Sequence, residues 1–157
     1  MDLYFARHDG QAVTTDDFFA AMTDANGGND ISRLKNWYTQ AGTPTLKCAR
    51  SYDAAAQTYS LTLEQVLPKT PDMDGAKIAH LIPVAVGLIG AGGADLVLGD
   101  VSVSGEEGGS GSAATVTGQG ALVLRLNAMK ATFTFKVARC SFTLGLPRLI
   151  AALESET

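Results

Sequence analysis

A chain of 157 residues with 12 Lys+Arg against 16 Asp+Glu carries a formal charge of −4, and 46% of its residues are hydrophobic. A chain of this size can bury a core without disulfide staples. The acidic balance excludes a nucleic-acid binder with a basic face, and no apolar run reaches the roughly 18 residues a membrane span needs. The opening MDLYFARHDG lacks the basic-then-apolar order of a secretory signal, so a cytoplasmic location is expected. Two Cys and two His are too few for a common protein-only tetrahedral zinc site.

The first forty residues read as helices. Leu3, Tyr4 and Phe5 make an apolar patch that stops at Asp9-Gly10. Thr14 or Thr15 suits the N-cap of a second helix, because Asp16 and Asp17 then fall in its first turn, at the positive end of the helix. Phe18, Phe19, Met22 and Ala25 give that helix one apolar stripe, closed by Asn26-Gly27-Gly28. Asp30 caps a third, carrying Ile31, Leu34, Trp37 and Tyr38, which Gly42 and Pro44 end. Three short helices with one apolar face each cannot enclose a core between them, so they must lean on another surface.

From Thr43 the hydrophobic period becomes two. TLKCARSY and Thr58–Val66 read as a hairpin about an Asp53–Gln57 turn, with Tyr59, Leu61 and Leu63 on one face. LPKTPDMDG is a loop, and HLIPVAVGLI a third strand in which Pro83 predicts an edge or a bulge. Leu96–Val103, Gly120–Leu126 and Ala131–Val137 follow as further strands, the last two forming a hairpin about Asn127–Lys130. Eleven of the 17 glycines lie between Gly87 and Gly120, and SGEEGGSGSAATVTGQG has the composition of a flexible loop. No Lys-Ser/Thr follows to make a phosphate loop, and GLIGAGGAD lacks dinucleotide spacing and leads into a strand rather than a helix, which predicts a turn between strands. Short strands punctuated this way predict a mainly β protein, a β-sandwich preceded by a short helical segment.

No catalytic constellation emerges. His8 and Asp9 adjoin but lack a third group, so a capping or surface role is expected for His8. His80 opens a strand with no carboxylate at matching spacing. Cys48 and Cys140 lack a His partner for thiol catalysis. They read as free, buried small apolar residues in a reducing compartment rather than as a disulfide. Asp72-Met73-Asp74-Gly75 opens like a calcium loop but lacks the later Glu, which leaves a turn of solvated carboxylates. Trp37 and Tyr38 read as core residues on a helix face.

Particular blocks carry more than pattern does. RHDGQAVT-x-DDF at residues 7–18, WYTQAGTP at 37–44, and a strand ending in Gln-x-x-Pro-x-Thr-Pro at 65–71 resemble the bacterial aminopeptidase N family. These zinc-dependent gluzincin metallopeptidases remove N-terminal residues from peptides, and the resemblance covers residues 2 to about 137. It implies that residues 1–42 are the helical end of a thermolysin-like catalytic domain, and that 43–137 are an immunoglobulin-like β-sandwich leading to a C-terminal helical domain. The family's His-Glu-x-x-His zinc motif, its later Glu, its Gly-Ala-Met-Glu-Asn substrate loop and its catalytic Tyr do not occur here. No catalytic, cofactor-binding or metal-binding residue is therefore assigned: zinc belongs to the parent enzyme, and this chain alone is expected to be inactive. The expected partners are the parent's neighbouring domains.

The tail, residues 138–157, departs from the family and reads as an atypical segment with helical character. CSFTLGLPR can be encoded by codons that one nucleotide later permit VPSLLGFRA, so a frame shift near Arg139 is expected, which the coding DNA decides. A sandwich short of its last native strand would leave an edge prone to self-association. The alternative reading is a stand-alone sandwich module that presents its Gly-rich loops and the Asp72–Asp74 tip to a ligand or protein.

Overall fold

The computed structural model describes residues 1–27, 31–71, 75–89, 98–116, 122–137 and 148–152, which fall into two compact units, Met1–Ala41 and Gly42–Thr157.

The first unit follows the helical signals. Helix α1 is Asp2–His8 and α2 is Thr15–Ala25, with Thr14 as the N-cap of α2. Asp17 Oδ2 accepts hydrogen bonds from the Thr14 N–H and hydroxyl, both at 2.8 Å, and these bonds hold its carboxyl below the ordinary 3.8. Gly27, with φ +67°, follows the C-cap Asn26, where a left-handed residue lets the chain leave the helix. The third helix is shorter than its apolar spacing predicts: a 3-10 turn at Ser32–Lys35 passes into a single α turn, α3, Asn36–Thr39. The Asp30 cap lies outside the described residues.

The second unit is a sandwich of two four-stranded sheets. Strands β1 (Thr45–Asp53), β2 (Thr58–Val66), β3 (Ile82–Ile89), β4 (Leu98–Glu107), β5 (Ala113–Val116), β6 (Leu122–Leu126), β7 (Lys130–Val137) and β8 (Arg148–Ala152) are arranged β1-β2-β7-β4 and β5-β6-β3-β8, all neighbours antiparallel. Inward residues alternate along the strands: Tyr59, Leu61 and Leu63 on β2, Val84, Val86 and Leu88 on β3, Leu122, Leu124 and Leu126 on β6, and Phe133 and Phe135 on β7. On the other face of the β2–β7 pair, hydroxyls meet hydroxyls: Ser60 with Thr134 at 3.0 Å and Thr62 with Thr132 at 2.9 Å. The β1–β2 turn forms as its sequence predicts, Asp53 Oδ1 accepting from the N–H groups of Ala55 and Ala56 at 2.8 and 3.0 Å.

Four sequence expectations are corrected. Residues 127–129 do not close a hairpin: β6 and β7 lie in different sheets, and the chain arches from one to the other. Leu126, Asn127 and Ala128 are consecutively buried, which a solvent-exposed hairpin tip would not allow. Pro83 is not on an edge strand, since β3 lies between β6 and β8. Among the described residues the β3–β8 pairing runs from Ala85 to Ile89, which leaves Pro83 outside it. The Gly/Ser-rich stretch contains the end of β4 and all of β5, with a tied loop between them. Hydrogen bonding by the Ser112 side chain, and then by its N–H, which donates to Glu106 Oε1 at 2.7 Å, lowers the Glu106 pKa, and Asn127 reaches Ser112 Oγ at 3.0 Å and Ser110 O at 2.9 Å. Finally, residues 148–152 of the tail are a strand against β3, not a helix, because β3 offers an open row of backbone groups at 85–89. Of the turn predicted at GLIGAGGAD, Gly87–Ile89 belong to β3 and the remainder lies outside the described residues.

Glycine content has a steric cause at the arch. A Cβ on Gly109 would lie 2.6 Å from Asn127 O and 2.9 Å from Ala128 Cα, both backbone atoms. Gly109→Ala is expected to destabilise the sandwich by about 1–3 kcal/mol, measured by urea unfolding, whereas an alanine at Gly75, where a Cβ meets nothing within 4 Å, should change little.

A buried glutamine joins the sheets. Gln65, on β2, is 1% exposed. Its Nε2 donates to His80 O at 3.0 Å, ahead of β3, and to Ala128 O at 2.7 Å, in the arch. Its Oε1 accepts from the His80 N–H at 2.9 Å, and its own N–H donates to Met129 O at 2.8 Å. The segment after it is equally confined: a Cβ on Gly42 (φ +96°) would stand 2.7 Å from Pro68 Cγ, so the Gly of WYTQAGTP packs on the Pro of Gln-x-x-Pro-x-Thr-Pro.

Candidate functional site

The residues singled out as candidates for chemistry are not brought together. His8 ends α1 with its ring 5.5 Å from that of Tyr4, and Asp9, the C-cap, is exposed. His80 lies two residues ahead of β3 and is buried; burial and the Lys77 charge hold its pKa below the ordinary imidazole value, so it stays neutral. Cys48 corrects the expectation of a buried thiol: it is free and exposed on β1, although partial cover by its surroundings raises its pKa and keeps it protonated. Cys140 and Asp72–Asp74 lie outside the described residues. Among the described residues no group of three or more His, Cys, Asp or Glu could hold a metal ion, and no helix is long and apolar enough to cross a membrane.

What the first unit does build is an apolar groove. Its scaffold is a run of edge-on ring contacts: Tyr4 to Phe18 at 5.4 Å, Phe18 to Phe19 at 5.9 Å, and Phe19 to Tyr38 at 5.5 Å. Such pairs each contribute about 0.5–1.5 kcal/mol beyond burial, enough to orient short helices that propensity alone would not hold. Two exposed ion pairs, Arg7–Asp24 at 2.6 Å and Lys35–Asp16, add little more. Within this frame an open groove of about 530 Å³ is lined by Phe18, Phe19, Met22, Ile31, Leu34 and Trp37, among others. Its lining is mostly apolar, with Asn26 and the Tyr38 phenol as its polar members.

Trp37 and Tyr38 are therefore not core: they are 43% and 65% exposed, and Phe5 is 54% exposed. The stripe that reads as core from its spacing has only one α turn and one 3-10 turn behind it, too little backbone to cover two large rings. An exposed cluster of this size on so small a unit marks an interaction surface.

Residues 42–152 match the family described as a domain of unknown function (DUF3458) with an Ig-like fold. The chain belongs to this Ig-like family. The matched range takes in every described strand of the sandwich and runs to Ala152, the last described residue of β8. Relatives include aminopeptidase N of Escherichia coli K12, 44% identical over 88 residues, 56% of this chain and 10% of that protein. Aminopeptidase N of Haemophilus influenzae is 41% identical over 98 residues, 62% of this chain and 11% of that protein. Aminopeptidase N of Caulobacter vibrioides is 51% identical over 55 residues, 35% of this chain and 6% of that protein. The chain thus spans about a tenth or less of the length of these curated relatives.

Proposed function

We propose that this chain is a non-catalytic structural part of a bacterial zinc aminopeptidase N. Residues 1–42 are the helical end of the catalytic domain, and the sandwich, from residue 43, is a spacer between that domain and a C-terminal helical domain. The parent's substrate is the N-terminal residue of a peptide, and its zinc is held outside this segment. The observation that carries the reading is the open apolar groove. Phe18, Phe19, Met22 and Trp37 present a surface that water disfavours and that the rest of a catalytic domain would cover. The aminopeptidase relatives, of which the matched stretches make up only about a tenth, are long enough to supply such a cover.

The parts divide the work. The sandwich, cross-tied by Gln65, offers a rigid body whose two ends can hold neighbouring domains at a set separation. The helical unit offers the adhesive face. Purified chain assayed with added zinc on aminoacyl-anilide substrates is expected to show no turnover. Turnover that survives repurification and disappears on chelation would overturn the non-catalytic reading.

A further inference from the structure

Among the described residues four strands form the edges of the two sheets, and three of them are blunted by shortness or bulging. β5 has four residues and β8 five, while the pairing of β4 with β7 is broken by register shifts between Leu98 and Val101 and between Ser104 and Glu107. Such shortness and bulging are the usual protection against edge pairing. β1 has neither. All nine of its residues pair with β2 in unbroken register, from Thr45↔Val66 to Asp53↔Thr58, with no proline and no bulge. The opposite side of β1 is a sheet edge.

Its core-side face is also incompletely covered. Cys48 and Arg50 stand opposite Leu63 and Leu61, so they share the face of the sheet that carries the core, yet both are exposed. Leu46 and Tyr52, on the same face at the two ends of the strand, are only partly buried against the core.

We propose that the chain dimerises through β1, two copies pairing edge to edge and antiparallel about a two-fold axis at Ala49, so that two four-stranded sheets become one of eight strands. The register follows from the sequence. A two-fold axis normal to the sheet keeps each face together, so paired positions share parity. Centring on Ala49 pairs all nine residues: Thr45 with Asp53, Leu46 with Tyr52, Lys47 with Ser51 and Cys48 with Arg50. No like charges then stand directly opposite; Lys47 lies one diagonal step from the partner's Asp53, within reach of its long side chain, and Arg50 lies one diagonal step from the partner's Arg50. Leu46 and Tyr52 meet across the seam and extend the core past the present edge. Centring on Arg50 would oppose two guanidinium groups, and centring on Cys48 would leave Tyr52 and Asp53 without a strand residue opposite. The second copy is favoured over another peptide by this self-complementarity, and the proposal stands whether or not the chain works within a peptidase.

The test is a charge swap at the axis. Ala49 is exposed, so Ala49→Lys and Ala49→Glu should fold, which circular dichroism checks, but each places like charges directly opposite at the seam. Sedimentation velocity of the full chain should show a dimer for wild type, a monomer for each variant alone, and a dimer again when the two variants are mixed. A monomeric wild type at high concentration would overturn the proposal. So would a dimer that survives Ala49→Lys, or a mixture of the two variants that fails to reassociate.

Discussion

Gln65→Leu is expected to cost the sandwich about 3–5 kcal/mol, a large share of the roughly 5–15 kcal/mol that holds a typical domain. The leucine fills much of the same volume, so the loss is not one of packing. It arises because the side chain of Gln65 serves the His80 N–H, the His80 carbonyl and the Ala128 carbonyl at once, in a site that is 1% exposed. Removing it takes a partner from each of these backbone groups, at about 1–3 kcal/mol for a buried group left unsatisfied. Chemical denaturation should show a lower midpoint with an unchanged slope, and an unchanged midpoint would mean that the junction does not tie the sheets.

Gln65→Glu separates shape from hydrogen bonding. Its carboxyl would face the carbonyl oxygens of His80 and Ala128, so the folded state favours the protonated form and raises that carboxyl's pKa. A raised folded-state pKa gives stability that is fullest below the unfolded value of about 4.3 and falls as pH rises from there through the folded value. The variant should therefore lie closer to wild type at pH 4 than at pH 7. An equal deficit at both would remove the electrostatic explanation.

Phe133→Ala is the second large effect, at about 3–5 kcal/mol. Phe133 is fully buried on β7, the strand between β2 and β4, where it stands across from Leu61 on one side and Val103 on the other. On one side β2 is held by its unbroken ladder with β1, so it cannot move in to close the cavity, and the cost falls within that range. Calorimetry should show a fall in Tm far larger than that for an exposed apolar change such as Ile78→Ala, at a residue 59% exposed.

Much of this architecture is legible in the residues. Alternation marks β2, β3, β6 and β7 because each has one face in the core, and a period-two pattern is the direct record of that. The Thr14–Asp17 cap and the Asp53 turn are local chemistry, readable within a few residues. The misreadings are all non-local. β5 hides in a Gly/Ser stretch because Gly108 and Gly109, just ahead of it, are required by close approach to the arch, a contact no local window contains. The arch reads as a hairpin because strand alternation is the same whether two strands share a sheet or face each other. β8 reads as helix because LPRLIAALESET has helical spacing, while the open backbone of β3 outweighs it. The groove is half legible. The need for a partner follows from three helices too short to enclose a core, but the spacing of Trp37 and Tyr38 cannot reveal that the backbone behind them is only two turns long.

Trp37 is the sole tryptophan of the chain and lines the groove, so its fluorescence reports directly on whether that surface is covered. The decisive measurement adds the zinc-bearing portion of a bacterial aminopeptidase N, made without the stretch to which this chain is similar, and follows Trp37 emission against a tryptophan-free version of that portion. Docking is expected to shift the emission to shorter wavelength at saturation, and Trp37→Ala to weaken co-sedimentation at least tenfold. An emission maximum that stays at its solvent-exposed position while the two proteins sediment separately would contradict the proposed role.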